Sequence, residues 1–216
     1  MKIGIIGATG KAGNKILKEA TKRNHDVTAI VRDASKLDQK DIPVIAGDIM
    51  NLTTHDVQDF DVVVNAFGAP AGKEALHISV GRHLIDIFSP IDTRLLVVGG
   101  AGSLYVDDEQ TTKLIDTPDF PKEFVPTAAS QAQNLEDLQA STVNYTFISP
   151  SAYFDPKGNR TGKYILGTDK LLVNSDGDSY VSYADFAVAL LDEIETPAFK
   201  RQRFTVASEK GLPLPL

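Results

Sequence analysis

The 216-residue chain contains no cysteine, which excludes disulfides, zinc–thiolate sites, iron–sulfur clusters and a thiol nucleophile together. There is no excess of positive charge: 22 Lys and Arg stand against 29 Asp and Glu, a formal net charge of -7. With no basic cluster, nucleic acid and anionic membrane are poor partners. Long hydrophobic runs are lacking too. No segment approaches the roughly 18 apolar residues of a membrane span, and the N-terminal run MKIGIIG is broken by Gly4 and Gly7, too short for the apolar core of a signal peptide. Histidine is limited to four residues, with no HExxH or comparable spacing, so no metal site is expected. A cytoplasmic protein fits these absences. What remains is an ordinary globular composition, 42% hydrophobic and 24% charged.

Short apolar runs alternate with amphipathic stretches. Strand-like runs fall at 2–7, 26–31, 44–46, 61–66, 95–98 and 145–148. Between them lie helical patterns at 11–24 (Ala12, Ile16, Leu17 and Ala20 inward; Lys15, Lys18, Glu19 and Lys22 outward), 74–88 and 127–140. This alternation predicts an α/β fold, a Rossmann-type doubly wound parallel sheet with helices on both faces. After Pro150 the chain is rich in Gly, Asp, Ser and Asn, with strand candidates at 164–166 and 171–173, a helix at 182–194 and a last strand at 203–206. Residues 1–216 read as one domain in which 149–180 form a small C-terminal, substrate-side lobe. The tail, 211–216, reads as an extended end.

The strongest motif is Gly7-Ala-Thr-Gly10-Lys-Ala-Gly13, which follows a strand and opens a helix. The first glycine permits a tight turn, the second lets the backbone approach a pyrophosphate, and the third lets helix and strand pack closely. The helix N-terminus offers free N–H groups to that pyrophosphate, with Thr9 and Lys11 adding a hydroxyl and a charge. The second strand ends in Arg32-Asp33. A carboxylate there suits the ribose hydroxyls of NAD, and an arginine suits the 2′-phosphate of NADP; because Arg32 comes first, NADPH is favoured over NADH. Asp48, after the third strand, reads equally well as an adenine contact or as a plain turn or helix cap.

These residues resemble a known family. GATGxxG after the first strand, Val-Arg after the second, Gly-Asp after the third and Asn65-Ala-Phe-Gly68 after the fourth are similar to the atypical short-chain dehydrogenases. Within them they resemble the NAD(P)H-binding, NmrA-like group, which includes biliverdin-IXβ/flavin reductases and proposed NADH-flavin reductases. Ser149-Pro-Ser-Ala and Arg160-Thr-Gly-Lys-Tyr164 resemble the same group. The resemblance implies that Gly7, Thr9, Gly10, Lys11, Ala12 and Gly13 hold the pyrophosphate and Arg32 the 2′-phosphate. It puts Asp48 and Ile49 at the adenine, Ala66, Phe67 and Gly68 along the adenosine ribose and pyrophosphate, and Pro150 and Ser151 near the nicotinamide.

It also exposes a departure. Active short-chain dehydrogenases carry a Ser after strand five and a Tyr-x-x-x-Lys on the next helix, where the Tyr gives a proton to the substrate. Here those positions fall on Gly99-Gly100 and on Ala128 and Ala132. The string Tyr153-Phe-Asp-Pro-Lys157 matches the pair in letters only, because Pro156 and Gly158 deny it a helix. Tyr153 remains a weak catalytic or stacking candidate. So does Ser103, in a glycine stretch that lacks the G-x-S-x-G nucleophile pattern and is better read as letting the nicotinamide approach the backbone. His25 reads as solvated; His77 lies near the expected cofactor crevice but reads more simply as a helix-surface residue. Residues 104–126 read as a lid.

The expected function is an NAD(P)H-dependent oxidoreductase passing hydride from NADPH to a small flavin or quinone acceptor without the usual Tyr/Lys pair. The alternative is a non-catalytic NAD(P)-binding redox sensor with a protein partner. An epimerase or dehydratase ranks last for want of an acid–base pair.

Overall fold

The structure, a computed structural model, describes residues 1–39 and 41–211; the tail beyond Gly211 lies outside them. The strands are β1 (Lys2–Ile6), β2 (Asp26–Val31), β3 (Val44–Ala46), β4 (Val62–Asn65), β5 (Arg94–Val98), β6 (Tyr145–Ser149), β7 (Tyr153–Asp155), β8 (Tyr164–Gly167), β9 (Tyr180–Ser182) and β10 (Gln202–Ser208). The helices are α1 (Lys11–Lys22), α2 (Thr54–Val57), α3 (Leu76–Phe88), α4 (Val125–Ala140) and α5 (Tyr183–Glu195).

Eight strands form one sheet in the order β3-β2-β1-β4-β5-β6-β10-β8. All neighbours in it are parallel except β8, which runs antiparallel to β10 at the edge. The Rossmann-type expectation therefore holds for a mostly parallel sheet with one reversed edge strand. The order reverses between β1 and β4, and that switch point is where such sheets bind ligands, beyond the carboxyl ends of the strands.

The apolar runs are continuous because both faces are covered. Ile3, Ile5, Val62, Val64, Leu96 and Ile148 join a core with Ile16, Leu17 and Ala20 of α1 and Phe186, Leu190 and Leu191 of α5. The alternate residues Ile6, Val63, Leu95, Val97 and Phe147 join a second core with Val80, Leu84 and Phe88 of α3 and Leu135 and Leu138 of α4. Period-two alternation puts the two cores on opposite faces of the sheet.

Four expectations change. Residues 171–173 are not a strand; instead the Leu171 N–H donates to Tyr105 O at 2.8 Å, tying the segment to the 101–116 loop. The irregular stretch after Pro150 contains a small parallel pair, β7 with β9, that its Gly- and Asp-rich composition hid. Glu19 is buried rather than outward, because Arg23 and Arg160 both bond its carboxylate. His25 is not solvated: its Nε2 lies 2.8 Å from Glu195 Oε1.

Beneath α5, Arg94 of β5 bonds the Glu193 carboxylate and Thr146 Oγ1, and all three groups are buried. Glu193 also accepts from the Ala198 and Phe199 N–H groups, each at 2.9 Å, so the pair sets the turn from α5 into β10. Arg94→Met leaves a buried carboxylate without its cation. We expect it to cost about 3–5 kcal/mol, read as a lower denaturant midpoint with an unchanged slope.

Candidate functional site

The site is built at the carboxyl edge of the sheet by backbone bonds from loop to strand. Gly7 N–H donates to Ile30 O and Ala66 N–H to Ile6 O, both at 3.0 Å, so the loops after β1 and β4 are seated on the ends of β2 and β1 at the switch point. Gly7 has φ +75, a left-handed conformation that favours glycine. Its carbonyl accepts the Gly10 N–H at 2.8 Å. A Cβ on Gly13 would stand 2.2 Å from that same carbonyl oxygen, so only glycine lets α1 start this close to the strand.

Gly10 is the N-cap of α1; no side chain caps the helix and no acid occupies its first turn. The N–H groups of Lys11, Ala12 and Gly13 have no partner within the helix by its geometry. Thr9, Gly10 and Lys11 are exposed beside them. An uncapped N-terminus with its partial positive charge, at the switch point of a parallel sheet, fits a dinucleotide pyrophosphate.

Around this point the other expected residues fall as follows. Arg32 is exposed at the end of β2 and has no hydrogen-bond or ion-pair partner among the described residues. Asp33 turns away from it: its Oδ1 accepts from Ser35 N at 3.0 Å and from Ser35 Oγ at 2.6 Å, and these bonds hold its pKa below the ordinary carboxylate value. Asp48 caps the next short turn, accepting from Met50 N at 2.9 Å. The Ile49 side chain is buried in the core rather than presented to a ligand.

After β4, the buried Asn65 accepts the Phe67 N–H at 3.1 Å through Oδ1. His77 accepts the Ala69 N–H at 3.4 Å through Nε2, with its ring edge-on to Phe67 at 5.6 Å. His77 is half-buried, and burial pushes its pKa below the ordinary imidazole value while Glu74 opposes. From the first turn of α3 it therefore holds the loop after β4, rather than standing as a free helix-surface histidine. Gly68 is exposed, and a Cβ there would meet nothing within 4 Å.

Elsewhere the structure redirects several residues. Ser103 is buried and its Oγ accepts from Arg203 Nη1 at 2.8 Å. Ser151 is buried and donates to Val206 O at 2.9 Å, beside a buried Pro150. Gly99 and Gly100 make room for side chains rather than for a ligand: a Cβ on Gly99 would stand 2.1 Å from the Phe147 ring, and one on Gly100 2.1 Å from Gln131 Oε1. Ala128 is buried against Gly102, whose added Cβ would lie 2.6 Å from its own. Tyr153 is 58% exposed on β7. It lines a cavity of about 330 Å³ with Asp155, Lys157 and Tyr180. Tyr180 donates to Asp155 Oδ2 at 3.0 Å, and burial with that bond pushes its pKa up to about 12. A second cavity, about 490 Å³, lies around Asp59, Asp61 and Asp92 at the opposite ends of the strands, away from the glycine loop.

The 160–164 segment is fastened to α1 and α5. Arg160 forks onto Glu19 at 3.0 and 2.8 Å. Asp185 accepts from Thr161 N, Thr161 Oγ1 and Gly162 N, each at 2.8 Å. Tyr164 donates to Asp192, which also takes Arg23 at 2.6 Å. No group of three His, Cys, Asp or Glu residues among those described could hold a metal ion, and no described helix is long and apolar enough to cross a membrane.

Fold and glycine loop together define a dinucleotide-binding α/β protein with the crevice between β1 and β4. The chain belongs to the NAD(P)H-binding family, whose model matches residues 7–197. It is 59% identical over 211 residues to the uncharacterised protein YwnB of Bacillus subtilis, covering 97% of this chain and 99% of that one. SP1627 of Streptococcus pneumoniae, a proposed NADH-flavin reductase, is 42% identical with a TM-score of 0.91, over 97% of this chain and all of that one (100%). A Bacteroides thetaiotaomicron protein proposed as an epimerase is 31% identical with a TM-score of 0.87, over 98% of this chain and 99% of that one. The family and the first of these two structures support an NAD(P)H-dependent oxidoreductase with a nicotinamide cofactor.

Two outcomes follow from this geometry. Gly13→Ala forces the start of α1 away from Gly7 O, and we expect a loss of about 1–3 kcal/mol together with at least roughly tenfold weaker dinucleotide binding by calorimetry. Glu19 has its pKa lowered, first by the bonds from Arg160, against the opposing effect of burial. Its contribution is complete above the unfolded carboxylate pKa of about 4.3 and is lost as the pH falls through the lower folded value. Arg160→Ala is expected to reduce stability at pH 7 and to shrink the loss that the wild type shows on acidification, in urea titrations at pH 7 and pH 3.5.

Proposed function

We propose that the chain is a reductase that passes hydride from NADPH to a conjugated acceptor, a flavin or a small quinone, with no side-chain proton donor. The observation that carries this reading is the closed packing of Ala128 against Gly102, where the short-chain dehydrogenases that the sequence resembles carry their tyrosine. A reaction that needs a positioned acid is poorly served there. A flavin or quinone takes hydride into its ring system and can draw its proton from water. The name of SP1627 supports a flavin as acceptor.

When bound, the cofactor supplies the hydride. The chain's own part is to hold and orient. The N–H groups of Lys11, Ala12 and Gly13 would bind the pyrophosphate. Arg32, left without a partner by the local bonds of Asp33, would pair with the 2′-phosphate. Gly68 would admit the ribose side closely. The exposed Tyr153 ring, beside Lys157 in the cavity on the 149–180 segment, would stack the acceptor; orientation at about 3–3.5 Å can supply much of the rate.

The test is NADPH and NADH oxidation at 340 nm with FMN and then menadione. We expect turnover that favours NADPH, and a swing of about tenfold or more toward NADH in Arg32→Ala, the worth of one charge-assisted phosphate contact. Tight cofactor binding with no turnover on any acceptor would overturn the reductase reading in favour of a sensor.

A further inference from the structure

The loop after β4 is short of backbone donors. Ala66 N–H goes to Ile6 O, Phe67 N–H to Asn65 Oδ1 and Ala69 N–H to His77 Nε2, while residue 70 is proline. Among residues 66–70, Gly68 is the one whose N–H no protein group accepts, and it stands where an added Cβ would meet open space. Two side chains therefore decide the shape of the loop. Asn65 is buried and belongs to β4. His77 comes from the first turn of α3 and grips the far side of the loop.

We propose that His77 is a positioning residue for the cofactor crevice: its unprotonated Nε2 holds the Ala69 N–H, packs Phe67 edge-on, and so presents the Gly68 N–H to the dinucleotide. A backbone N–H can only donate, so Nε2 must be the bare nitrogen and the ring proton must sit on Nδ1. Protonation turns Nε2 into a donor facing a donor and ejects Ala69. Burial already favours the neutral ring.

Few charges act against this. Glu74, the group that favours protonation, already takes the Gly72 N–H at 2.7 Å through Oε1. Lys73 is exposed. From α2, His55 bonds Gln58 at 3.0 Å and Asp56 bonds Thr53 at 2.8 Å. From α4, Asp137 is taken by Arg82 at 2.7 Å. None of these is bonded to the ring. The grip is thus present at neutral and alkaline pH and lost as the pH falls through the lowered imidazole pKa, below the ordinary value of about 6.5.

This inference rests on reading the crevice as the dinucleotide site, and the experiment separates the two. Ring-nitrogen NMR of the free wild-type protein at pH 8 should show the Nδ1–H tautomer at His77, and the Ala69 amide shift should follow the acid titration of that ring. NADP⁺ binding by calorimetry at pH 8 should weaken about three- to tenfold in His77→Ala, the worth of one hydrogen bond. It should recover in His77→Gln, whose Oε1 can accept from Ala69. Relative to His77→Gln, the wild type should lose a further comparable factor once the pH is taken below the ring pKa read from that NMR titration; titration of the 2′-phosphate is common to both and cancels. An Nε2–H tautomer, or wild-type affinity in His77→Ala, would overturn the proposal. Failure of the wild type to bind any dinucleotide at pH 8 would overturn the reading of the crevice, and the cofactor role with it, whatever the NMR shows.

Discussion

A single carbonyl oxygen organises the carboxyl edge of the sheet around the glycine loop. Gly7 O receives the Gly10 N–H at 2.8 Å and would be 2.2 Å from any Cβ at position 13. That contact fixes how near α1 begins to β1. It keeps the first helical N–H groups aimed past the ends of the strands, because no side chain caps them. The neighbouring loop is placed by the same residue from its other side: a Cβ on Gly7 would meet Ala66 O at 2.7 Å. Move the start of α1 outward and the loops after β1 and β4 lose their common edge.

The remote end of α1 is anchored by charge. Glu19 and Arg23 join it to Arg160, Asp192 and Glu195, so the helix that carries the glycine loop and the segment after β6 share one ion-pair network. Each carboxylate in it faces at least one guanidinium, which makes the half-buried charges tolerable. The 160–164 stretch thereby takes a defined position over α1 and α5, and Gly162, at φ +70, makes the turn that lets Asp185 collect two successive N–H groups.

Much of this was legible in the chain. The bounds of β2 and β3 match the apolar runs to the residue, and α1 starts at Lys11 as its pattern says, because period and turn signals agree there. Legibility failed where a residue's partner is distant. Glu19 sits on the polar side of a helical pattern and is buried only because Arg160, 141 positions away, comes to meet it. His25 is claimed by Glu195, and Ser103 by Arg203, for the same reason. Residues 171–173 look like a strand but bond to a loop, an instance of tertiary contact overriding propensity. Gly99 and Gly100 read as ligand-facing and prove to be spaces for Phe147 and Gln131. His77 was visible as a residue near the crevice, but nothing in its spacing marks Ala69 as its partner.

On the proposed function, a dinucleotide lies across the β1–β4 switch point with its pyrophosphate on the N-terminus of α1. A crystal structure of the protein with NADPH tests it most directly. Phosphate density is expected within hydrogen-bond reach of the Lys11, Ala12 and Gly13 N–H groups, with the 2′-phosphate against Arg32 and the nicotinamide turned toward the 149–153 segment. Density elsewhere, or a glycine loop left empty at saturating NADPH, would contradict it.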